Sequence, residues 1–143
     1  MRAYNKFGWG PWSAVTTIIA AKAPDATAWI TTTNSSTNFY FKWQEPFNRG
    51  LSIFRYYITI MKKGGTSTNA AHYFASPDCN GADVTVNTTQ SCSIPMANLR
   101  GSPWFWGLND KLTMRIWAET PMGQGSQYQI ISTTSGNNAA IQT

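Results

Sequence analysis

The chain has 143 residues and a formal net charge of +5, and only 12% of its residues are charged while 14% are aromatic. Its Lys and Arg residues are scattered, with Lys62 and Lys63 the only adjacent pair, so they form no basic stripe of the kind that binds nucleic acid. We therefore expect no nucleic-acid binding. Because no window reaches the roughly 18 apolar residues of a membrane span, we also expect no membrane insertion.

The first segment in chain order is MRAYNKFGWGPWS, residues 1–13, and a related segment, MRIWAETPMGQGSQY, occupies residues 114–128. In both, an alternating strand runs into a turn of small residues and then into a second strand. The aligned positions are Ala3 with Ala118, Gly8 with Gly123, Gly10 with Gly125 and Val15 with Ile130. If the later segment closes a domain, the first should close one too, which makes it an orphan strand pair in this chain.

The rest of the chain shows strand patterns and no sustained helical period. In NFYFKW, for example, Phe39, Phe41 and Trp43 fall on one face and Tyr40 and Lys42 on the other. Segments with strand character are 27–33, 38–43, 53–61, 71–76, 82–87, 91–96, 111–119 and 128–133. About seven short strands separated by turn residues predict an all-β, antiparallel β-sandwich.

These patterns predict four parts along the chain. Residues 1–20 are the terminal strands of a preceding or neighbouring unit, 21–26 a linker, 27–134 the β domain and 135–143 a linker to the next unit. A period of about 115 residues means one full unit plus an overlap, as in a tandem or polymeric array.

Cys79 and Cys92 form an even pair in a β-rich chain, which favours a disulfide over two free thiols. Such a bridge closes a loop of about 14 residues and stabilises by roughly 3 kcal/mol in the chain-entropy model. No CxxC motif occurs and His72 is the only histidine, so we predict no zinc site and no cofactor.

Four segments, taken in order, resemble a fibronectin type III domain over residues 23–134. FYFKWQEP is similar to its second strand, with Trp43 and Pro46, and LSIFRYYITI to its third, with Ile53 three residues before Tyr56. CSIPMANL resembles the fifth strand, ending in Leu99, and MRIWAETPMGQGSQ the sixth strand and the following turn. The resemblance implies a Greek-key sandwich of about seven strands, often repeated head to tail.

WGPWS, residues 9–13, with Arg2 nearby, resembles the Trp-Ser-x-Trp-Ser box of cytokine-receptor fibronectin domains, in which Arg side chains stack between Trp rings. The WxxW spacing is also a substrate pattern for C-mannosylation at Trp9. Simple aromatic packing at a strand end is the alternative. We expect Trp9, Trp12, Val15 and Ile19 to contact an adjacent unit, because an isolated strand pair has no core of its own.

The sequons NSS at Asn34 and NTT at Asn87 predict N-glycosylation, each in a turn or at a strand edge. In SPWFWG, residues 102–107, Trp104, Phe105 and Trp106 either form an exposed aromatic interface or belong to a loop folded over a sandwich edge. The abundant Thr, Ser and Asn, with both sequons, point to an extracellular protein.

No catalytic pattern is present: the acids form no signature pair, and there is no G-x-S-x-G, P-loop or dinucleotide motif. The sequence therefore predicts a non-enzymatic extracellular structural or adhesive module, glycosylated and assembled head to tail with copies of the same unit. The alternatives are a ligand-binding receptor ectodomain, and a spacer or carbohydrate-binding module of a secreted hydrolase.

Overall fold

The structure, a computed structural model, describes residues 1–18, 20–27 and 30–131. Its regular elements are short and mostly strands. In chain order they are β1 (Tyr4–Asn5), β2 (Gly8–Trp9), β3 (Ile30–Asn34), β4 (Asn38–Trp43), β5 (Arg55–Met61), a 3-10 turn (Ala70–His72), β6 (Tyr73–Phe74), α1 (Val84–Thr89), β7 (Ser91–Pro95), α2 (Met96–Arg100), β8 (Thr113–Thr120), β9 (Gly123–Gln124) and β10 (Tyr128–Ile131).

The strands form three antiparallel sheets. The first large sheet has the order β3-β4-β7, and the second has the order β10-β8-β5-β6 with β9 added to the end of β8. The small third sheet consists of β1 and β2 alone. The all-β prediction is therefore confirmed at the level of class.

The two larger sheets share one apolar core. The predicted alternation in β4 holds, because Phe39, Phe41 and Trp43 are all buried. The Trp43 ring meets the Tyr56 ring of the second sheet edge-on, with 5.2 Å between centroids. From β8, Met114, Ile116 and Ala118 join the same cluster, so inward residues of both sheets make a single core.

Residues 24 and 25, predicted as part of a linker, lie against the β domain. Pro24 is buried, and the Asp25 N–H donates to the Phe47 carbonyl at 3.1 Å. The Asp25 carboxylate also accepts two hydrogen bonds of 2.7 Å from the Arg49 guanidinium. The folded unit thus begins before residue 27.

The strand predicted at 82–87 is wrong, since residues 84–89 form helix α1. The Asp83 side chain caps this helix by accepting from the Thr85 N–H at 2.8 Å. Gln90 ends it in the left-handed conformation, with φ of 47°. Val and Thr favour strands by propensity, but the cap and the contact of Val86 with the core outweigh that preference.

Candidate functional site

The N-terminal hairpin, residues 1–13, is a strand pair closed by a tight turn. Tyr4 lies opposite Trp9 and Asn5 opposite Gly8. Gly8 has a φ of +115°, a conformation that side chains disfavour, so glycine is required there. The Asn5 side chain accepts from the Phe7 N–H at 2.9 Å, which stabilises the turn locally.

One face of this hairpin carries a cation–aromatic ladder. The Arg2 guanidinium carbon lies 4.4 Å from the Trp9 ring centroid and 4.7 Å from that of Trp12. The Tyr4 ring extends the ladder, with its centroid 4.9 Å from that of Trp9. The stacking expected from the resemblance of WGPWS to a Trp-Ser-x-Trp-Ser box is therefore present in this segment.

Residues 1–18 include no buried residue. Trp9 and Trp12 are largely exposed, and Val15 is almost entirely so. These three residues of the predicted inter-unit contact are thus available to a partner. Ile19, the fourth, lies outside the residues that the structure describes.

The hairpin formed by β8, β9 and the start of β10 repeats this geometry inside the β domain. Glu119 lies opposite Gln124, and Thr120 lies opposite Gly123. Each of these four residues is 115 positions after its counterpart in the two pairs of the N-terminal hairpin. Gly123 has a φ of +116°, against +115° for Gly8.

The backbone hydrogen bonds around the two turns also correspond. The Gly10 N–H donates to the Ala3 carbonyl at 2.9 Å, and the Gly125 N–H donates to the Ala118 carbonyl at 2.8 Å. The Ser13 N–H donates to the Met1 carbonyl at 2.7 Å. The residues 115 positions later, Tyr128 and Ile116, are likewise paired. The repeat seen in the sequence is therefore also a repeat in backbone structure.

Cys79 and Cys92 are joined in a disulfide, with their Cα atoms 5.7 Å apart. Both residues are buried in the apolar core. The bond ties the loop that precedes α1 to β7, and the free-thiol alternative does not hold in this structure.

The two sequon asparagines lie in different surroundings. Asn34 is the last residue of β3, before the turn to β4, as expected for a strand edge. Asn87 lies in helix α1, which corrects the prediction of a turn or strand edge there. Both residues are half-buried.

The exposed aromatic interface predicted at residues 104–106 is wrong for its two tryptophans. Trp104 is 4% exposed and Trp106 is 9% exposed, whereas Phe105 is 61% exposed. The indole N–H groups donate to the carbonyls of Ile60 and Met61, at 3.2 and 2.8 Å. The loop folds back over the end of β5 because each indole finds both apolar surface and a hydrogen-bond acceptor there.

A second aromatic pair was missed from the sequence. On the side of the second sheet away from the core, the Tyr57 and Trp117 rings stack with 5.1 Å between centroids. The Tyr57 hydroxyl donates to Glu119 at 2.8 Å, and the Trp117 N–H donates to Gln124 at 3.0 Å. Both aromatic residues occupy outward positions in strands of alternating pattern, and this is the sequence feature from which the pair could have been predicted.

Lys63 and Asp110 form an ion pair beside the loop that carries Trp104 and Trp106. Hydrogen bonds from Lys63 and from the Gly107 N–H hold the pKa of Asp110 below its ordinary value of 3.8.

Within residues 1–18, 20–27 and 30–131, no group of three or more His, Cys, Asp or Glu residues could hold a metal ion. Among the described helices, none is long and apolar enough to cross a membrane.

The sequence matches no known protein-family model and no curated protein.

Proposed function

We propose that this chain is a unit of an extracellular structural or adhesive array, built from fibronectin type III-like sandwiches arranged head to tail. The observation that carries the proposal is the recurrence of one hairpin, with the same pairing and the same glycine conformation, at the N terminus and in the β domain. Repetition of a structural unit along a chain is the signature of an array.

The sheet order supports the fibronectin-like part of the proposal. Three strands (β3, β4, β7) oppose a second sheet in which β8 lies between β5 and β10, around one core that includes Trp43 and Leu99. Trp43 and Leu99, both named in the resemblance, are thus core residues.

The disulfide and the sequons support an extracellular location. Disulfides persist in oxidising compartments and are rare in the cytosol. Asn34 and Asn87 are each partly accessible, as a glycan acceptor must be.

The test is the shape and location of the native protein. Antibodies raised against the β domain should label intact, unpermeabilised cells or the surrounding matrix. Native material should sediment as an elongated particle and appear as a rod or fibre in electron micrographs. A compact 15.9 kDa particle, or labelling only after permeabilisation, would contradict the proposal.

Peptide mapping of the same material tests its modification. Enzymatic deglycosylation should convert Asn34 and Asn87 to Asp. Finding both asparagines unmodified would count against export.

A receptor ectodomain is the second candidate, favoured by the position of Arg2 between the Trp9 and Trp12 rings. Receptors of this architecture bind through loops at the ends of the sandwich. A soluble partner should then be retained by residues 21–143 alone, which an array unit would not require.

A further inference from the structure

We infer that the N-terminal hairpin completes the β-sandwich of the unit preceding it in the same polypeptide, with Met1, Ala3 and Asn5 facing that unit's core. The inference rests on the proposed head-to-tail array and specifies its contact. The Arg2, Trp9 and Trp12 ladder lies on the opposite face, so it does not enter the core.

The core face follows from the equivalent residues of β8. Moving Met1, Ala3 and Asn5 by 115 positions gives Ile116, Ala118 and Thr120, which are 0%, 0% and 1% exposed. Met1 is instead 96% exposed, and Ala3 and Asn5 are exposed as well. Since the two backbones pair identically, this exposed face has the geometry of a core face that lacks its covering sheet.

The outer face follows from strand alternation. Arg2 and Tyr4 alternate with the core-facing positions, and Tyr4 lies directly opposite Trp9, so these side chains share the other face. The sequence predicts that Trp9 and Trp12 contact an adjacent unit. The register makes them surface residues of the preceding unit.

The partner strand follows from the free edge of β1. The Ala3 carbonyl already accepts from Gly10, so the backbone groups of Arg2 and Tyr4 point to the opposite edge. The equivalent edge of β8 pairs with β5, where Tyr57 lies opposite Trp117 and Arg55 opposite Glu119. The edge of β1 therefore suits a strand of the β5 type.

The sandwich of a second, identical chain is not a suitable partner. Its β5 already pairs with β8 over Arg55 to Ile60, so the position is filled by its own residues. Entry of another hairpin would have to displace β8 and everything packed on it. A preceding unit whose last strands are residues 1–18 has that position open.

A graft in the full chain tests the inference. Residues 116–128 are replaced by the sequence of residues 1–13, which puts Met1, Ala3 and Asn5 in the core positions. Arg2 then lies opposite Tyr57, and Tyr4 opposite Arg55, so a cation–aromatic pair replaces the native cross-strand pair at each position. The expected result is one cooperative thermal transition, with the disulfide retained.

The matched control places the same sequence at 115–127. This moves Arg2 and Tyr4 into the positions of Ile116 and Ala118, and the cooperative transition should be lost. Within the in-register graft, Ala3→Arg should abolish the transition, whereas Trp9→Ser should leave it nearly unchanged.

Failure of the in-register graft to fold, or equal behaviour of the two grafts, would overturn the inference. Denaturing electrophoresis of reduced, deglycosylated native protein tests the single-polypeptide arrangement: a band at 15.9 kDa would overturn it. These outcomes are separate from the proposed function. If the graft folds but the native protein is a compact particle, the assignment of the hairpin faces stands and the proposed array is wrong. If the native protein is a fibre but the graft fails to fold, the array stands and the assignment of the hairpin faces is wrong.

Discussion

At the scale of single residues, consecutive aromatic side chains differ in whether they are buried or exposed. Trp104, Phe105 and Trp106 follow one another, yet the two indoles are buried and the phenyl ring is exposed. Phe105 has a φ of 56°, which turns the chain so that its neighbours both reach the carbonyls at the end of β5. The indole N–H groups are what distinguish the buried positions from the exposed one.

Trp104→Ala should therefore lower the free energy of unfolding by about 3–5 kcal/mol, because it leaves a cavity and removes the indole hydrogen bond to the Ile60 carbonyl. Phe105→Ala is the control in the adjacent position and should change it by less than about 0.5 kcal/mol. Urea denaturation followed by fluorescence gives both values. Equal losses in the two variants would contradict the inward orientation of Trp104.

Asp110 gives a prediction about pH. Its hydrogen bonds from Lys63 and Gly107 lower its pKa in the folded protein, so its stabilising contribution is complete above 3.8, its ordinary value. That contribution should be lost as the pH falls below 3.8 through the lowered value. Because both partners are partly exposed, it should not exceed about 1 kcal/mol.

The measurement compares the wild type with Asp110→Asn by urea denaturation between neutral pH and the acid limit of folding. The stability difference should be present near pH 7 and shrink in acid. A difference that stays constant over the whole range would rule out this role for the carboxylate.

At the scale of elements, local capping and close packing decide what the β-rich segments become. The sequence predicts a strand at residues 82–87, but the Asp83 side chain caps a helix at residues 84–89 and the disulfide holds the preceding loop to β7. That loop also approaches β5, where the Tyr56 N–H donates to the Gly81 carbonyl at 2.9 Å. Gly81 is thus the point at which the cysteine loop docks on the second sheet.

Gly81→Ala should destabilise the protein by about 1–3 kcal/mol, because the added Cβ would collide with the carbonyl of Tyr56. Gly101→Ala is the control. At Gly101 the nearest atom to an added Cβ is 3.5 Å away and φ is −88°, so stability should be unchanged or slightly raised. Thermal unfolding of both variants measures the contrast, and a tolerated Gly81→Ala would show that the loop can move away from β5.

At the scale of the whole molecule, the core belongs to the β domain and the N-terminal hairpin contributes nothing to it. The core cluster is drawn from residues 30–118, while residues 1–18 are unburied. The hairpin is held by its own hydrogen bonds and ring contacts, among them those of Arg2.

Removal of residues 1–20 should leave the unfolding free energy within about 0.5 kcal/mol of that of the full chain, since the described residues of this segment, 1–18 and 20, are not buried. Pro24 and Asp25, which pack on the β domain, are retained in this fragment. Calorimetry of the two proteins checks the expectation. A drop of several degrees in the melting temperature of the fragment would mean that the hairpin is part of the same cooperative unit.

The sequence by itself determined the class of the fold, the buried and exposed faces of β4, and the correspondence between residues 1–13 and the later hairpin. These depend on alternation and on glycine turns, which are local properties of the chain. The cysteine pairing could also be proposed, because only one pairing of two cysteines exists.

Only the tertiary structure decided the rest, because it depends on contacts between residues far apart in sequence. Trp104 and Trp106 became buried through carbonyls more than 40 residues away, at the end of β5. Residues 84–89 became a helix because a cap and a core contact outweighed strand propensity. The core face of the N-terminal hairpin could be assigned only when the burial of Ile116, Ala118 and Thr120 was known, since composition does not tell an inward alanine from an outward one.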